Sequence, residues 1–334
     1  MMRRNLVIAA VVGLAILPMV IGSGITFATI IYSKMLAVLG IFLLLQAGQV
    51  SFGHGMYFAA GAYTAAYLGR AWGGPDMLVL VLAVVAISGL SGLIVGLFVS
   101  RYRYIFFAML NLAFSMVFFA LLEKLFHYTG GTDGMRVPRP TLLGLSFDRA
   151  QFDIVMYYFA FVLMVVGSLG VWIFLRSPLG QALKAVKVNE TRMEYLGLSA
   201  NRTILVAYVF SAVLAGVGGL AYGLVQGLAT PDLTFWTRSG EFVFIAVLGG
   251  AGNVLGVFAG TLVYESVRFF AAAVFADSWQ LILGLVLIGV ILVVPAGLIG
   301  LPRQMAALMG RRGLGRRSLG RQGLDEAPAK REQE

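Results

Sequence analysis

MLVLVLAVVAISGLSGLIVGLFVS, residues 77–100, runs through twenty-four positions without an Asp, Glu, Lys or Arg. A helix needs roughly 20 mainly apolar residues to cross the hydrocarbon core of a bilayer, so this stretch is long enough to span one. One such stretch could be the core helix of a soluble protein. The chain has seven more charge-free runs, at 5–33, 35–69, 104–122, 154–175, 203–231, 242–264 and 278–302. Of its 334 residues 60% are hydrophobic and only 12% charged, about half the charged share of a soluble domain. The reading is an all-α integral membrane protein, a polytopic helix bundle of about 8–10 spans. The spans are expected at about 5–22, 30–47, 51–69, 77–99, 104–122, 154–175, 203–226, 241–251, 254–274 and 279–300. The first, with its basic start and small residues at Gly22–Gly24, resembles a signal peptide. Because the apolar character resumes at once, it is expected to stay as an uncleaved span.

The charges between the spans set an orientation. The net charge is +10, and the basic residues gather at Arg3 and Arg4, at Arg101 and Arg103, in 176–202 and after Leu301. This is the positive-inside pattern, and it implies no nucleic-acid partner. The N-terminus, 101–103, 176–202 and the C-terminal tail are expected in the cytosol, and 123–153 outside. The tail falls inside only if the short segment 241–251 counts as a crossing. The Gly/Arg-rich end of the chain, 311–334, has little apolar content and reads as disordered.

Two apolar stretches are interrupted, one at Gly48-Gln49-Val50-Ser51-Phe52-Gly53-His54-Gly55 and one at Gly249-Gly250-Ala251-Gly252-Asn253. They point to broken or re-entrant helices, where freed backbone groups face a cavity, and to a possible internal repeat. Glycines four apart (Gly92/Gly96, Gly219/Gly223/Gly227 and Gly252/Gly256/Gly260) place small residues on one helix face, as close helix packing in lipid requires.

Catalysis has little to stand on. There is no cysteine and there are two histidines, His54 and His127, so no thiolate or histidine-based metal site is expected, and no cofactor. No Gly-Lys pair occurs, so the phosphate-cradling loop of an ATPase is absent. If solute moves against a gradient, another chain or an ion must drive it. Glu265 and Arg268 share a helix face and read as a locally neutralised pair, with ion coupling as the alternative. His54 lies in the first glycine-rich break, where its ring could meet a solute or be satisfied by hydrogen bonds.

Two loops stand out. Thr129-Gly130-Gly131-Thr132-Asp133-Gly134 reads as a tight turn; Thr129, Gly130, Gly131 and Asp133 either dock a partner or gate the outer side, or simply close two helices. The cytosolic loop 176–202 is unlike a linker. Asn189 can cap a short helix through Met193, Tyr195 and Leu196 that Gly197 ends. Its apolar side could lie on lipid or seat in a groove of a soluble protein.

Four of these segments together resemble one family. GQVSFGHGMYFAAGAYTAAYL (48–68), TGGTDG (129–134), SPLGQALKAVKVNETRMEYLGLSANR (177–202) and PDLTFWTRSGEFVFIAVLGGAGNVLGVFAGTLVYE (231–265) are similar, in order, to the LivM-type branched-chain amino acid ABC permeases. The resemblance implies a non-catalytic subunit of an importer in the bacterial inner membrane. With it would come a related second permease, two ATPase subunits and a periplasmic substrate-binding protein. The permease domain is expected over 1–303, with the resemblance covering roughly 30–300, and a disordered basic cytoplasmic tail over 304–334. The resemblance also makes 176–202 the segment that couples to an ATPase, through Asn189, Glu190, Arg192, Met193, Glu194, Leu196 and Gly197. No Glu-Ala-Ala, part of the general coupling consensus of such permeases, is present. Gln46, Gln49, Ser51 and His54 are the expected polar groups along the substrate path. Urea and short-chain amide permeases share much of the pattern. A sugar-type ABC permease, an ion-coupled carrier and a passive channel are the other readings.

Overall fold

The computed structural model describes residues 24–250, 252–275, 278–293 and 297–298. The expected first span, 5–22, and the tail, 304–334, lie outside the described residues. The helices are α1 (Ile25–Gln46), α2 (His54–Trp72), α3 (Met77–Val99), α4 (Tyr104–Lys124), α5 (Arg149–Arg176), α6 (Pro178–Val188), α7 (Glu190–Tyr195), α8 (Ala200–Gln226), α9 (Trp236–Gly249), α10 (Val254–Val274) and α11 (Trp279–Val293). A single turn at Phe126–Thr129 follows α4. The chain is an all-α polytopic membrane protein. Among the described residues six helices, α1, α3, α4, α5, α8 and α10, are long and apolar enough to cross a bilayer unaided. α9 has 14 residues, about 21 Å of helix, and falls short of one.

Burial sorts the spans. In α1, 89% of the apolar window is buried, against 17% in α5. A helix apolar on every face belongs in the middle of the bundle, and α1 sits there between α5, α8, α9 and α10. α8 is the second central helix, touching α1, α2 and α3. These contacts need glycine. A Cβ on Gly40 would come 2.6 Å from the Ser211 carbonyl, and one on Gly218 2.5 Å from the Ser33 carbonyl. A Cβ on Gly61 would strike the Gly216 carbonyl, and one on Gly219 the Phe58 carbonyl. Of the glycines four apart, Gly92, Gly96, Gly219, Gly223, Gly256 and Gly260 lie against neighbouring helices. Gly227 does not. It ends α8 in the left-handed conformation, φ 69°, which a glycine adopts without steric cost. Gly252 meets nothing within 4 Å.

The two ends of the bundle differ. At the basic end Lys187 meets Gly48, and Arg103 reaches Glu190 and Asn201. At the other end a short antiparallel pair, β1 (Met135–Arg136) and β2 (Leu228–Ala229), ties the loop after α4 to the end of α8.

Two spans are broken in opposite halves. After α1 the chain turns at Gly48 (φ 72°) and re-enters without helix until His54. A Cβ on Gly53 would meet the carbonyl of Asn111, seven residues into α4, so α2 begins about 10 Å from the basic end. From the other end, the chain leaves β2, makes the 3-10 turn Pro231–Leu233 and starts α9 at Trp236. There the Thr234 carbonyl accepts from Ser115 Oγ (2.7 Å), one turn beyond Asn111. The interruption expected at 249–253 is thus only the turn between α9 and α10; the deep break comes before α9. Gly55 N–H donates to Ser239 Oγ (2.8 Å) where the two broken spans meet.

Close backbone approach along α2 and α8 predicts a position-specific cost. Gly61→Ala should lower the melting temperature of the purified protein, with a destabilisation of about 1–3 kcal/mol from overpacking. Gly284→Ala, where nothing lies within 4 Å, should not. Equal shifts in the two variants would contradict this packing.

Candidate functional site

Lys34 is the single charge in the long apolar region from 5 to 69, and it is fully buried. An ammonium in a spanning helix must be paired, because no water is available to solvate it. Lys34 Nζ donates to Glu241 Oε1 (2.6 Å) on α9 and to Glu265 Oε1 (2.5 Å) on α10. The other Glu241 oxygen accepts from Arg238 Nη1 (2.7 Å), one turn earlier on α9. Arg268 Nη1 stands 3.7 Å from Glu241 Oε1 and 3.6 Å from Glu265 Oε2. The guanidinium of Arg268 also lies over the Trp279 ring, 5.6 Å from its centroid. The expected local Glu265–Arg268 pair is therefore one edge of a five-residue network joining α1, α9 and α10. Its formal charge is +1, from three cations and two carboxylates.

Of the residues expected along a substrate path, Gln49, Ser51 and His54 lie at the first break and Gln46 at the end of α1. His54 is fully buried, with Nε2 2.9 Å from Ser211 Oγ and Nδ1 2.8 Å from Ser51 Oγ. Ser211 Oγ spends its hydrogen on the Tyr208 carbonyl (2.8 Å), so it accepts from His54 Nε2–H, and Ser51 Oγ–H donates to Nδ1. Beside them Tyr57 OH donates to Tyr208 OH (3.0 Å), which donates to Asn111 Oδ1 (2.5 Å). Gln49 Oε1 accepts from the Tyr104 N–H (2.8 Å) and so ties the break to the α3–α4 turn. Gln46 is half-buried and its Nε2 lies 3.4 Å from the Phe42 carbonyl. His54, Ser51 and Gln49 thus come together, with their polar atoms turned to the protein.

The loop at the basic end is two helices. Ser177 caps α6, accepting from Gly180 N–H (3.2 Å), with Pro178 in the first turn. Asn189 caps α7, accepting from Arg192 N–H (2.8 Å), and Gly197 follows it at φ 80°. The short helix expected from the sequence is there. Met193 is its buried side, whereas Tyr195 and Leu196 are 87% and 76% exposed. Asn189, Arg192 and Glu194 are exposed as well. Glu190 is engaged internally: Arg103 grips it through Nε (2.9 Å) and Nη2 (2.7 Å) and also binds the Ser100 carbonyl and Asn201. This fork fixes α7 to the α3–α4 turn. Val188, 83% exposed, joins Tyr195 and Leu196 in the bare apolar surface.

At the opposite end Thr129 is buried, its one hydroxyl hydrogen shared between the Leu122 and Leu125 carbonyls. Gly130, Gly131 and Gly134 all have positive φ (75°, 53° and 71°), which side chains rarely adopt. A Cβ on Gly134 would come 2.5 Å from the Ala229 carbonyl. The turn is rigid and closes α4 onto β2, while Thr132 and Asp133 remain exposed at its tip.

Lys34, Arg238, Glu241 and Arg103 were not among the expected site residues. Lys34 and Glu241 nonetheless carry a readable signal, since each interrupts or bounds a charge-free run long enough to span a bilayer.

Broken spans and a buried charge network define a class, the polytopic membrane protein with discontinuous helices that permeases use. Within that class, the permease component family of branched-chain amino acid transport systems matches residues 21–293, and the chain belongs to it. The high-affinity branched-chain amino acid transport system permease protein LivM of Salmonella typhimurium is 30% identical over 283 residues, covering 78% of this chain and 66% of that protein, just under two thirds. LivM of Escherichia coli is 28% identical over 330 residues, covering 92% and 77%. LivH, a permease protein of the same named system in Salmonella typhimurium, is 28% identical over 185 residues, covering 53% and 60%. No solved structure matches the chain significantly.

Removing Lys34 leaves two buried carboxylates with poorer partners. Lys34→Met should destabilise the protein by about 3–5 kcal/mol, read as a lower melting temperature in detergent. Adding Glu265→Gln to it should recover part of the loss by removing the surplus carboxylate. A Lys34→Met protein as stable as the native one would contradict this account of the network.

Proposed function

We propose that the chain is the membrane-spanning subunit of an ATP-driven importer of branched-chain amino acids, working without a chemical step of its own. LivM and LivH, both named as permease proteins of a branched-chain amino acid transport system, support the cargo and the pairing with a related second permease. Two ATPase subunits and a periplasmic binding protein complete the assembly, in the bacterial inner membrane. The N-terminus, the 176–202 loop and the tail face the cytosol, as the distribution of Lys and Arg supports. Residues 1–303 form the permease domain, and 304–334 its cytosolic extension.

One observation carries the reading. α7 is a short helix held at its base by the Arg103–Glu190 fork and buried Met193, with its other apolar residues, Tyr195 and Leu196, bare. Such a helix transmits a push without bending, and its bare face suits a groove on an ATPase subunit. Movement there passes through Arg103 to the α3–α4 turn, and through Gln49 to the first break. On the outer side the rigid Thr129–Gly134 turn offers Thr132 and Asp133 to the binding protein. The switch in access is then a shift of the two half-spans that meet at Gly55 and Ser239.

Leu196→Asp tests the lever. A charge desolvated in the contact costs several kcal/mol, and residue 196 is exposed, so folding and insertion should be untouched. The ATPase subunits should fail to co-purify, and amino-acid uptake should be lost. Normal co-purification together with normal uptake would overturn the coupling role.

A further inference from the structure

The charge network holds three cations and two carboxylates. Glu241 accepts from Lys34 and Arg238 on its two oxygens, and Glu265 accepts from Lys34 on Oε1. Among the described residues Arg268 makes no hydrogen bond; its ion-pair contacts to the two carboxylates are 3.6 and 3.7 Å, beyond hydrogen-bonding range. Arg238 has a buried Nε without a partner among the described residues. A buried donor left unpaired costs free energy and calls for an explanation. The side chain of Arg268 is 31% exposed, whereas that of Arg238, at 17%, is mostly buried.

This surface is poorly suited to lipid. Arg268 sits six residues from the end of α10, and a side chain escaping hydrocarbon would extend along the helix toward that end. It turns instead toward Glu241 and Glu265. A guanidinium presented to acyl chains is costly, and ionisable groups within spans mark solute paths by default. The first turn of α9, directly after the deep break, carries Arg238, so the spare donors stand beside unwound backbone. Broken half-helices in transporters place such groups at the cargo.

Resting on the importer reading above, we infer that Arg268, with Arg238 beside it, receives the carboxylate of the zwitterionic amino acid as it passes along the α9–α10 face. The guanidinium fork matches a carboxylate in shape and charge. Lys34 is the positioning residue: it draws one oxygen of Glu241 and one of Glu265 to itself, which leaves Arg268 at 3.7 and 3.6 Å from the two carboxylates. The face of α9 and α10 is then the wall of the translocation path.

The test uses the complete importer in proteoliposomes, reading labelled leucine uptake and ATP hydrolysis together. Arg268→Gln should lower the leucine moved per ATP hydrolysed by about tenfold or more, the effect of one charged contact. Arg268→Lys, which keeps the charge without the fork, should recover only part of that loss. An unchanged ratio in the Gln variant overturns the site. A fall in hydrolysis that matches the fall in uptake also overturns it, since that marks a structural role. A native complex that carries no amino acid overturns the importer reading and this site with it, whereas a native complex that carries leucine while the Gln variant matches it overturns the site alone.

Discussion

A single ammonium with nowhere to find water organises this molecule. Lys34 sits in the most buried helix of the bundle, and its two carboxylate partners lie 207 and 231 residues away along the chain. Satisfying it draws α9 and α10 onto α1. That matters most for α9, which is too short to cross a bilayer and enters from an unwound segment. Apolar packing alone does little to hold a half-helix at one depth in lipid, because acyl chains are as apolar as its neighbours. Two carboxylates on one lysine fix depth and rotation together. Buried ion pairs are weak contributors to net stability but effective in selecting one arrangement, and selection is what a half-span requires.

The rest of the architecture follows from close approach. Glycines on α1, α2 and α8 let carbonyls come within contact distance of neighbouring backbone, so the central helices pack as a rigid unit. Against that unit the two broken spans meet at Gly55 and Ser239. The first break is sealed by side chains, with His54 held by two serines and Gln49 by the Tyr104 N–H. The second is followed at once by Arg238, whose buried Nε has no partner among the described residues. The two halves of the molecule thus resemble each other in having a break and differ in what the break offers.

Much of this was legible in the residues. Charge-free runs located the spans, because burial of apolar length is a local property that needs no knowledge of the fold. The cap at Asn189 and the stop at Gly197 were readable for the same reason, since capping acts over three or four residues. What could not be read was pairing. Glu190, expected at an ATPase contact, is held by Arg103, 87 residues earlier. Glu265 was paired with its neighbour on the helix, Arg268, because sequence shows only near partners; its direct hydrogen bond goes to Lys34. His54 in a glycine-rich break looked like a solute contact, and its second partner, Ser211, lies 157 residues on. Clustered glycines point to a second break at 249–253. The deeper one, at 230–235, is marked by a proline and a return of polar residues instead.

On the proposed reading this chain is a path and a lever: α7 would receive motion at one end, the half-spans would shift, and the cargo would pass the arginines of α9 and α10, with the energy supplied by partner ATPase subunits. The decisive measurement is leucine accumulation in proteoliposomes containing the chain with its partner permease, ATPases and binding protein, with and without ATP and with an ionophore that collapses ion gradients. The account predicts accumulation that requires ATP, persists with the ionophore and vanishes when this chain is left out. Accumulation by the chain alone, independent of ATP and abolished by the ionophore, would contradict it.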